Sequence, residues 1–411
     1  AEGRISKVVQ NEKGEPVATI DGLNRKTLIE YNTADGLPNK VTSPEGRIAQ
    51  TVYDLKGRVI QTTGANGVTT ITYENTFGKI ASVTDQDGKI TSFTYTASGQ
   101  IASIQDPEGN ITRFEYFADG VLKKVKDALN QETVYTEDSH GNIVSVTDPM
   151  GRNTQFVRDA VGNVVQTIDP MNRSTLFEFD MQNRVKKVTD AAGGITRYVY
   201  LANGQLFTIT DAKNQTTTFA YNSQGLLGST TNALNQVESY IYDRDKNLVQ
   251  KTTKAGVGIT FAYNSANELV TKNAQDNLVQ MTYDRDGLLK TVTDSDSSVG
   301  FSYDIHGRLT SELQSNSALP IQYSYLLDGR KASMSFGAQN LQYGYDDTGL
   351  VNEILGNYFG RNYQWTRNTD ALKRPTQDIL PNGIKSTYQY NANSELLDLK
   401  NLLSNQNIQK L

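Results

Sequence analysis

The sequence predicts an all-β protein built as a long array of antiparallel β-hairpins. Three observations predict this fold class. The group Tyr-Asp-x-x-Gly returns along the chain, for example at Tyr53, Tyr283 and Tyr303. The position of its Tyr, which we name the anchor, recurs every 20 to 22 residues, with one step of 24. Between the anchors, short segments in which apolar and polar residues alternate are separated by the turn-forming residues Asp, Pro, Gly and Asn. A fixed period of this size indicates a repeat array, so the repeat determines the fold.

The anchor occurs in 19 copies, of which 15 are aromatic. Twelve of the tyrosine anchors are the residues that we predict to hold neighbouring repeats together, namely Tyr53, Tyr73, Tyr95, Tyr116, Tyr200, Tyr221, Tyr242, Tyr263, Tyr283, Tyr303, Tyr325 and Tyr345. The other copies are Gln10, Tyr31, Glu137, Arg158, Phe179, Thr369 and Tyr390.

One repeat shows how each period forms a hairpin. Residues 101–105 alternate as a short strand, and Asp106-Pro107-Glu108-Gly109-Asn110 has the composition of a tight turn, because Pro presets φ and Gly accepts a positive φ. Residues 111–116 form the returning strand, in which Phe114 and Tyr116 share a face. A second turn at 117–120 leads into the next repeat. In later copies Asn replaces the turn Gly, and Asn also tolerates the left-handed region.

Most copies carry a second aromatic residue two positions before the anchor, so one face of the sheet presents a series of aromatic side chains. We expect these residues to pack between repeats; the alternative is that they stack on sugars or on a client polypeptide. The period breaks near the end of the array, where Tyr358, Phe359, Tyr363 and the single Trp, Trp365, cluster in sequence. These four residues are the candidate binding site.

Composition excludes several classes of protein. Hydrophobic residues make up 37 % and the formal net charge is −5 without a basic cluster, so a nucleic-acid partner is not expected. There is no Cys, hence no disulfide framework, and no apolar run is long enough to span a membrane. The chain starts with Ala1 and shows no signal-peptide pattern, so we expect an excised piece or a processed product.

The array predicts one body rather than several domains. Residues 1–397 form the repeat array, and residues 398–411 are predicted to be a frayed tail. Two strands in each of 19 repeats make 38, and at about 4.8 Å per strand the sheet would extend roughly 180 Å. Open twisted sheets of that size curl, so we expect a curved or spiralling wall with open strand edges that could self-associate.

No residue constellation predicts catalysis, a metal site or a cofactor. The two histidines, His140 and His306, both precede a turn Gly and have no ligand partner in the pattern. The many Asp residues could be calcium ligands or paired carboxylates, but their period matches the turns, so turn formation is the better account.

These residues resemble the Rhs/YD-repeat family over about Val8 to Leu397, with the motif at Tyr53, Tyr283, Tyr303 and Tyr345. The family includes bacterial polymorphic toxins, shell subunits of insecticidal toxin complexes, and teneurins. The resemblance implies a β-shell that encloses an effector, and a secreted or cell-surface location in bacteria. The toxins share a self-cleaving C-terminal segment, which the last hundred residues here do not match, so neither self-cleavage nor toxicity is implied.

The leading hypothesis is a non-catalytic shell segment that encloses or supports another polypeptide, either a flanking part of the same protein or an effector. The second is a surface-displayed module that binds carbohydrate or the protein of a neighbouring cell. The third, an enzyme, lacks any acid–base or nucleophile arrangement.

Overall fold

The computed structural model describes residues 7–64, 67–275, 277–403 and 406–410. These residues contain 39 β-strands and no helix. Every strand pairing described is antiparallel and joins strands that follow each other in sequence, as β14 with β15 and β15 with β16. The predicted all-β array of antiparallel hairpins is therefore confirmed. Each of the 19 anchors is the last residue of an odd-numbered strand.

The strands have the following bounds. The first eleven are β1 Lys7–Gln10, β2 Pro16–Ile20, β3 Lys26–Tyr31, β4 Pro38–Thr42, β5 Ile48–Tyr53, β6 Val59–Gly64, β7 Gly67–Tyr73, β8 Ile80–Thr84, β9 Ile90–Tyr95, β10 Ile101–Gln105 and β11 Ile111–Tyr116. The next sixteen are β12 Leu122–Lys126, β13 Glu132–Glu137, β14 Ile143–Thr147, β15 Asn153–Arg158, β16 Val164–Ile168, β17 Ser174–Phe179, β18 Val185–Thr189, β19 Ile195–Tyr200, β20 Leu206–Thr210, β21 Thr216–Tyr221, β22 Leu227–Thr231, β23 Val237–Tyr242, β24 Leu248–Thr252, β25 Gly258–Tyr263, β26 Leu269–Ala274 and β27 Asn277–Tyr283. The last twelve are β28 Leu289–Thr293, β29 Ser298–Tyr303, β30 Leu309–Gln314, β31 Ile321–Tyr325, β32 Lys331–Phe336, β33 Gln339–Tyr345, β34 Val351–Tyr358, β35 Arg361–Thr369, β36 Pro375–Ile379, β37 Lys385–Tyr390, β38 Leu396–Leu403 and β39 Gln406–Lys410.

The chain divides into two compact units. Within the described residues, the first unit comprises Tyr116–Lys124 and Glu132–Gln280. The second unit combines residues from both ends of the chain, which we name the first run (residues 7–115) and the last run (residues 281–410), with Val125–Gln131.

The turns are closed by their first residue. In the turn after β5, the Asp54 Oδ1 atom accepts hydrogen bonds from the backbone amides of Lys56 and Arg58, at 2.8 and 2.9 Å. Its Oδ2 atom accepts the Arg58 Nε–H at 2.7 Å. The Gly57 amide then bonds to the Asp54 carbonyl at 2.9 Å, with Gly57 at φ 77°. The turn role predicted for the periodic Asp residues is thus visible in the hydrogen bonds, and this pattern recurs in both units.

Where another residue replaces the turn Gly, it adopts the same positive φ. Asn172, Asn214 and Asn235 occupy the left-handed region, with φ of 59°, 61° and 58°. Lys246 has φ 69° in the turn after Tyr242, where the Tyr-Asp pair is not followed by a turn Gly. A Lys in this region is strained relative to Gly or Asn, because its Cβ approaches the backbone.

Each anchor lies at a β-bulge that the sequence did not reveal. In every described pairing of an odd strand with the next even strand, the register shifts at the anchor: Tyr200 lies opposite Leu206, whereas Val199 lies opposite Thr208. One residue of the even strand is therefore extra in each repeat. A bulge of this kind bends the strand and increases its right-handed twist.

The anchor hydroxyl bonds to the bulge of the preceding hairpin. The Tyr221 hydroxyl donates to the Leu206 carbonyl at 2.8 Å, and Leu206 is the residue opposite the preceding anchor, Tyr200. Ten anchors make this bond, over 2.6–3.1 Å: Tyr31, Tyr53, Tyr73, Tyr95, Tyr200, Tyr221, Tyr263, Tyr303, Tyr325 and Tyr345. Each bond ties one repeat to the repeat before it.

Two anchors that are not aromatic behave differently. The Arg158 guanidinium donates to the Ile143 carbonyl from Nε and Nη2, at 3.3 and 3.1 Å. Ile143 lies opposite Glu137 at its bulge, so Arg158 supplies the donor that a tyrosine supplies elsewhere. Glu137 has no such partner: its Oε2 atom is buried without a hydrogen bond. Burial, together with the charges of Asp119 and Asp138, raises the pKa of Glu137.

The aromatic residues two positions before the anchors do not face one another across neighbouring strands. Phe177 lies opposite Val188, and Tyr198 lies opposite Ile209. The reason is geometric: the aromatic residues occupy alternate strands, so consecutive ones are about 9.6 Å apart. Their cross-strand partners are aliphatic in some copies and polar in others, as Phe261 lies opposite Lys272.

The sheet has little enclosed core. Among the described residues, Ala18 is the one hydrophobic side chain shielded almost completely from solvent, at 1 % exposure. Most inward-facing residues are half-buried, as in the alternating strand Ser174–Phe179. The low hydrophobic fraction of the sequence agrees with such a thin wall.

The segment predicted as a frayed tail, residues 398–411, overlaps the end of β38 and all of β39. These two strands pair, with Leu402 opposite Asn407, so the described part of this segment is one more hairpin. Residues 404, 405 and 411 lie outside the described residues, and the predicted boundary at 397 stays a prediction.

Removing one anchor hydroxyl should weaken its repeat. Tyr221→Phe deletes the donor to the Leu206 carbonyl, and we expect the local opening free energy around β20–β21 to fall by about 1 kcal/mol. Amide hydrogen exchange measures this loss. Tyr242→Phe is the matched control, because the Tyr242 hydroxyl makes no hydrogen bond within the described residues. Equal losses in both variants would contradict the anchor bond.

The Glu137 carboxyl should make stability depend on pH. Because its folded-state pKa is raised above the ordinary value of 4.5, the folded protein loses stability as pH rises from that value through the raised pKa. Glu137→Gln should therefore raise the melting temperature at pH 7, with a gain that disappears towards pH 4. Glu178→Gln should act oppositely, since the hydrogen bond from Lys187 lowers the pKa of Glu178. A pH-independent effect of Glu137→Gln would contradict this account.

Candidate functional site

The two runs of the second unit meet at their turns. The turn after β4 in the first run contacts the turn after β27 in the last run. There the Asp286 carboxylate pairs with the Arg47 guanidinium and accepts the Ser43 hydroxyl at 2.6 Å and the Glu45 amide at 2.7 Å. The Asp286 side chain is only 6 % exposed. This turn-to-turn contact therefore includes a largely desolvated ion pair.

Three further ionic contacts continue this line, which we name the turn seam. In one of them Lys89, in the turn after β8, pairs with Asp347, in the turn after β33, at 2.5 Å. Arg330 in the turn after β31 pairs with Asp87 at 2.5 Å, and it also pairs with Asp328 beside it. Lys373 in the turn after β35 lies 3.2 Å from Asp106 and also pairs with Glu108. The paired residues in the seam are about 240 to 265 positions apart in sequence.

The first run and the last run contribute turns from opposite ends of their strands to the seam. The first run contributes turns that follow even strands, namely those after β4, β8 and β10. The last run contributes turns that follow odd strands, namely those after β27, β31, β33 and β35. In an antiparallel sheet these two kinds of turn lie on opposite edges. The turns that follow even strands in the last run are therefore on the edge away from the seam.

The side of the last run away from the seam carries a long hairpin, which contains the four residues of the predicted binding site. Strands β34 and β35 have 8 and 9 residues, compared with 5 or 6 in most of the array. They place Tyr358 and Phe359 at the hairpin end, where the two rings meet edge to face with centroids 4.5 Å apart. Phe359 is 77 % exposed and has φ 48°, an unusual conformation for an aromatic residue. Phe359 and Gly360, with φ 48° and 74°, are the two residues of the turn, and both have the positive φ that a two-residue hairpin turn of type I′ requires.

Next to this hairpin lies a cavity of about 760 Å³, which we name the hairpin groove. Its apolar walls come from β31 to β35 and from the turn before β31: Leu319, Ile321, Met334, Phe336, Leu341, Tyr358 and Tyr363. Two of the four predicted site residues, Tyr358 and Tyr363, thus line one groove. Phe359 is at the neighbouring turn. The assignment of these residues to binding stays a prediction.

The hairpin groove contains one charged side chain, Glu312. The Tyr323 hydroxyl donates to Glu312 Oε1 at 3.0 Å. Burial, followed by this hydrogen bond, raises the pKa of Tyr323 to about 12, so the phenol remains protonated at neutral pH. The Lys331 ammonium lies over the Tyr323 ring, 4.3 Å from its centroid. Glu312 itself forms no salt bridge within the described residues.

Trp365 does not line this groove. The guanidinium of Arg367 lies 5.1 Å from the Trp365 ring centroid and pairs with Asp378 through two bonds of 2.7 Å. Asp378 also accepts the Tyr388 hydroxyl at 2.8 Å. The hydrogen bonds from Arg367 lower the pKa of Asp378. The arrangement around Trp365 is thus a structural cation–π and ion-pair network.

The two histidines are both turn residues. His140 and His306 each follow the first Asp of a turn, and their amides bond to Asp138 and Asp304. Across the described ranges, no group of three His, Cys, Asp or Glu side chains has a geometry that could hold a metal ion. None of the described residues forms a helix long and apolar enough to cross a membrane.

Comparisons with known proteins define the class to which this architecture corresponds. Residues 118–272 match the family model of the Teneurin YD-shell, and residues 75–111 and 283–317 match the RHS repeat. These matches confirm the resemblance to the Rhs/YD-repeat family that the Tyr-Asp-x-x-Gly copies predicted. Among curated proteins nothing matches.

Solved structures supply three relatives with a similar fold. The chain is similar to the crystal structure of TcdB2-TccC3-TEV, with TM-score 0.68 and 15 % identity over 96 % of this chain and 26 % of that chain. It is similar to TcdB2-TccC3, with TM-score 0.65 and 14 % identity over 96 % and 28 %. A third is the Photorhabdus luminescens Tc holotoxin pore, with TM-score 0.58 and 14 % identity over 98 % and 24 %. The chain spans about a quarter of those chains, and identities this low show a shared fold.

Breaking the central seam contact should destabilise the second unit. Asp286→Ala leaves the Arg47 guanidinium without its main partner in a largely desolvated place, and we expect a loss of about 3–5 kcal/mol. Chemical denaturation measures the loss. The control is Glu30→Ala, which removes an exposed pair with Lys40 and should cost at most about 1 kcal/mol. Similar losses in the two variants would contradict a structural role of the seam.

Proposed function

We propose that this chain is a structural segment of a YD-repeat shell, which encloses or supports an associated polypeptide and performs no catalysis of its own. The observation that carries the proposal is the turn seam, which joins two runs of hairpins edge to edge in the second unit. A wall that only had to display a surface would not need such a sealed joint between its edges.

The local structure supports this role. Neighbouring strands about 4.8 Å apart, with their backbone groups paired, leave no opening that a folded protein could pass. Many anchor hydroxyls tie their repeat to the one before it, and the seam joins the two runs. Such a wall acts by keeping other proteins out. This role requires an unbroken sheet rather than reactive side chains.

The comparisons support the same proposal. One structure with this fold is that of a Tc holotoxin pore, and from it we infer that this chain acts outside the cell, as part of a larger assembly. The partner is a flanking part of the same protein or an enclosed effector polypeptide.

A protease-protection experiment tests the shell function. The natural full-length polypeptide that contains this chain is treated with proteinase K, and the fragments are identified by mass spectrometry. We expect the segments outside the repeat array to be protected in the wild type and digested faster in the Asp286→Ala variant, because the seam no longer closes. The Glu30→Ala variant is the control and should protect like the wild type. If the flanking segments are digested equally fast in all three proteins, the chain does not enclose them.

A further inference from the structure

The hairpin groove has the shape of a site for an extended chain. Its lining residues come from β29 to β35, seven neighbouring strands. Six spacings of about 4.8 Å make it roughly 29 Å long across the strands. At about 3.3 Å per residue, this length matches an extended segment of roughly eight or nine residues.

The floor of the groove is defined by the register of the strands. Met334 lies opposite Leu341, Leu341 opposite Gly356, and Gly356 opposite Tyr363. This row therefore carries large apolar side chains except at Gly356, where a Cβ atom would come within 2.9 Å of Leu341 Cδ2. The missing side chain lets Leu341 lean into its place and leaves a depression between Leu341 and Tyr363.

The walls of the groove expose apolar surface. Leu319 is 46 % exposed, Phe336 44 % and Tyr358 53 %. Large apolar residues also occupy turns after even strands elsewhere, for example Met150, Met171 and Leu234, which are 50 %, 72 % and 76 % exposed. In the last run, however, the apolar residues at or beside three consecutive turns border one cavity. Burying this surface would stabilise a complex by about 25 cal/mol for each Å².

The electrostatics of the groove select the occupant. Glu312 is its one charged lining residue, and it has a hydrogen bond from Tyr323 but no salt bridge within the described residues. A carboxylate among apolar walls favours a cation that can reach it, because the pair is poorly screened there. The seam does not compete for this surface, since it uses the turns on the opposite edge of the last run.

We propose that the hairpin groove binds an extended apolar segment of a polypeptide that places one Lys or Arg side chain against Glu312. Tyr358 and Tyr363 form apolar walls, and Glu312 fixes the register of the segment. The site does not depend on enclosure: a groove on the edge of a wall can hold such a segment whether or not the wall surrounds it.

Fluorescence anisotropy tests this site with two labelled octapeptides of leucine, phenylalanine and serine, which differ only in one central lysine or glutamate. We expect the lysine peptide to bind about tenfold more tightly, as a charge-assisted hydrogen bond would give. Glu312→Gln should remove that preference, and Tyr363→Ala should weaken both peptides about tenfold.

The controls use matched residues outside the groove. Glu238→Gln alters a carboxylate outside the groove that accepts the Tyr240 hydroxyl and also pairs with Lys251, and Phe207→Ala removes an aromatic residue that is 40 % exposed. Neither should change binding. Circular dichroism verifies that each variant is folded, and Leu319→Ala, at a turn, replaces Glu312→Gln or Tyr363→Ala as the groove variant if either one unfolds.

Four results would overturn the proposal. They are no binding of either peptide, equal binding of both peptides by the wild type, equal effects of groove and control variants, and a glycan-array signal that Tyr363→Ala abolishes while the peptides do not bind. The protease-protection result is independent of these outcomes, so failure of the groove and failure of the shell function can be distinguished.

Discussion

The structure depends on one interaction, the hydrogen bond from an anchor tyrosine to the carbonyl at the preceding bulge. A single-layer sheet has little core, and here Ala18 is the one hydrophobic side chain almost wholly shielded among the described residues. Burial alone therefore cannot hold the hairpins in place. The bulge leaves the even strand with one extra residue, and the hydroxyl bonds to the carbonyl beside it. Because the period repeats both partners, each hairpin fixes the next.

The turn chemistry reinforces this link. In the turns after β5 and β29, the Arg that follows the turn Gly pairs with the first Asp of the turn and covers the next anchor ring. Arg58 does so with Asp54 and Tyr73, and Arg308 with Asp304 and Tyr325. The Cζ atom of Arg58 lies 4.1 Å from the centroid of the Tyr73 ring. One side chain thus connects the turn of one repeat to the anchor of the following one. Arg158 shows that the donor, rather than the ring, satisfies the bulge carbonyl.

Much of this fold was predictable from the sequence, because the repeat is local. All 19 anchors end strands, and Asn172, Asn214 and Asn235 adopt the left-handed turn conformation expected of them. The bulge was not predicted, since an extra residue in one strand leaves no periodic signal that alternation could reveal. The seam was also missed: Arg47 and Asp286 are 239 positions apart, and nothing in their local sequence marks them as partners.

The candidate site was predicted in part. The break in the period marked Tyr358, Phe359 and Tyr363, which the long hairpin brings to one edge. Trp365 was grouped with them because it is close in sequence. It lies two residues beyond Tyr363 along β35, so it has different cross-strand neighbours, and its partner is Arg367. Glu312 carried no sequence signal, because its importance arises from the apolar surroundings that β31 to β35 supply.

The most direct test of this account is the distance between the two runs of the second unit in solution. The chain has no native cysteine, so spin labels can be placed singly at residues 45 and 285, where the Glu45 carboxylate accepts the Arg285 amide at 3.2 Å. Double electron–electron resonance should give a short, narrow distance distribution. A broad distribution at long distance would show that the turns do not meet and that the sealed wall does not exist.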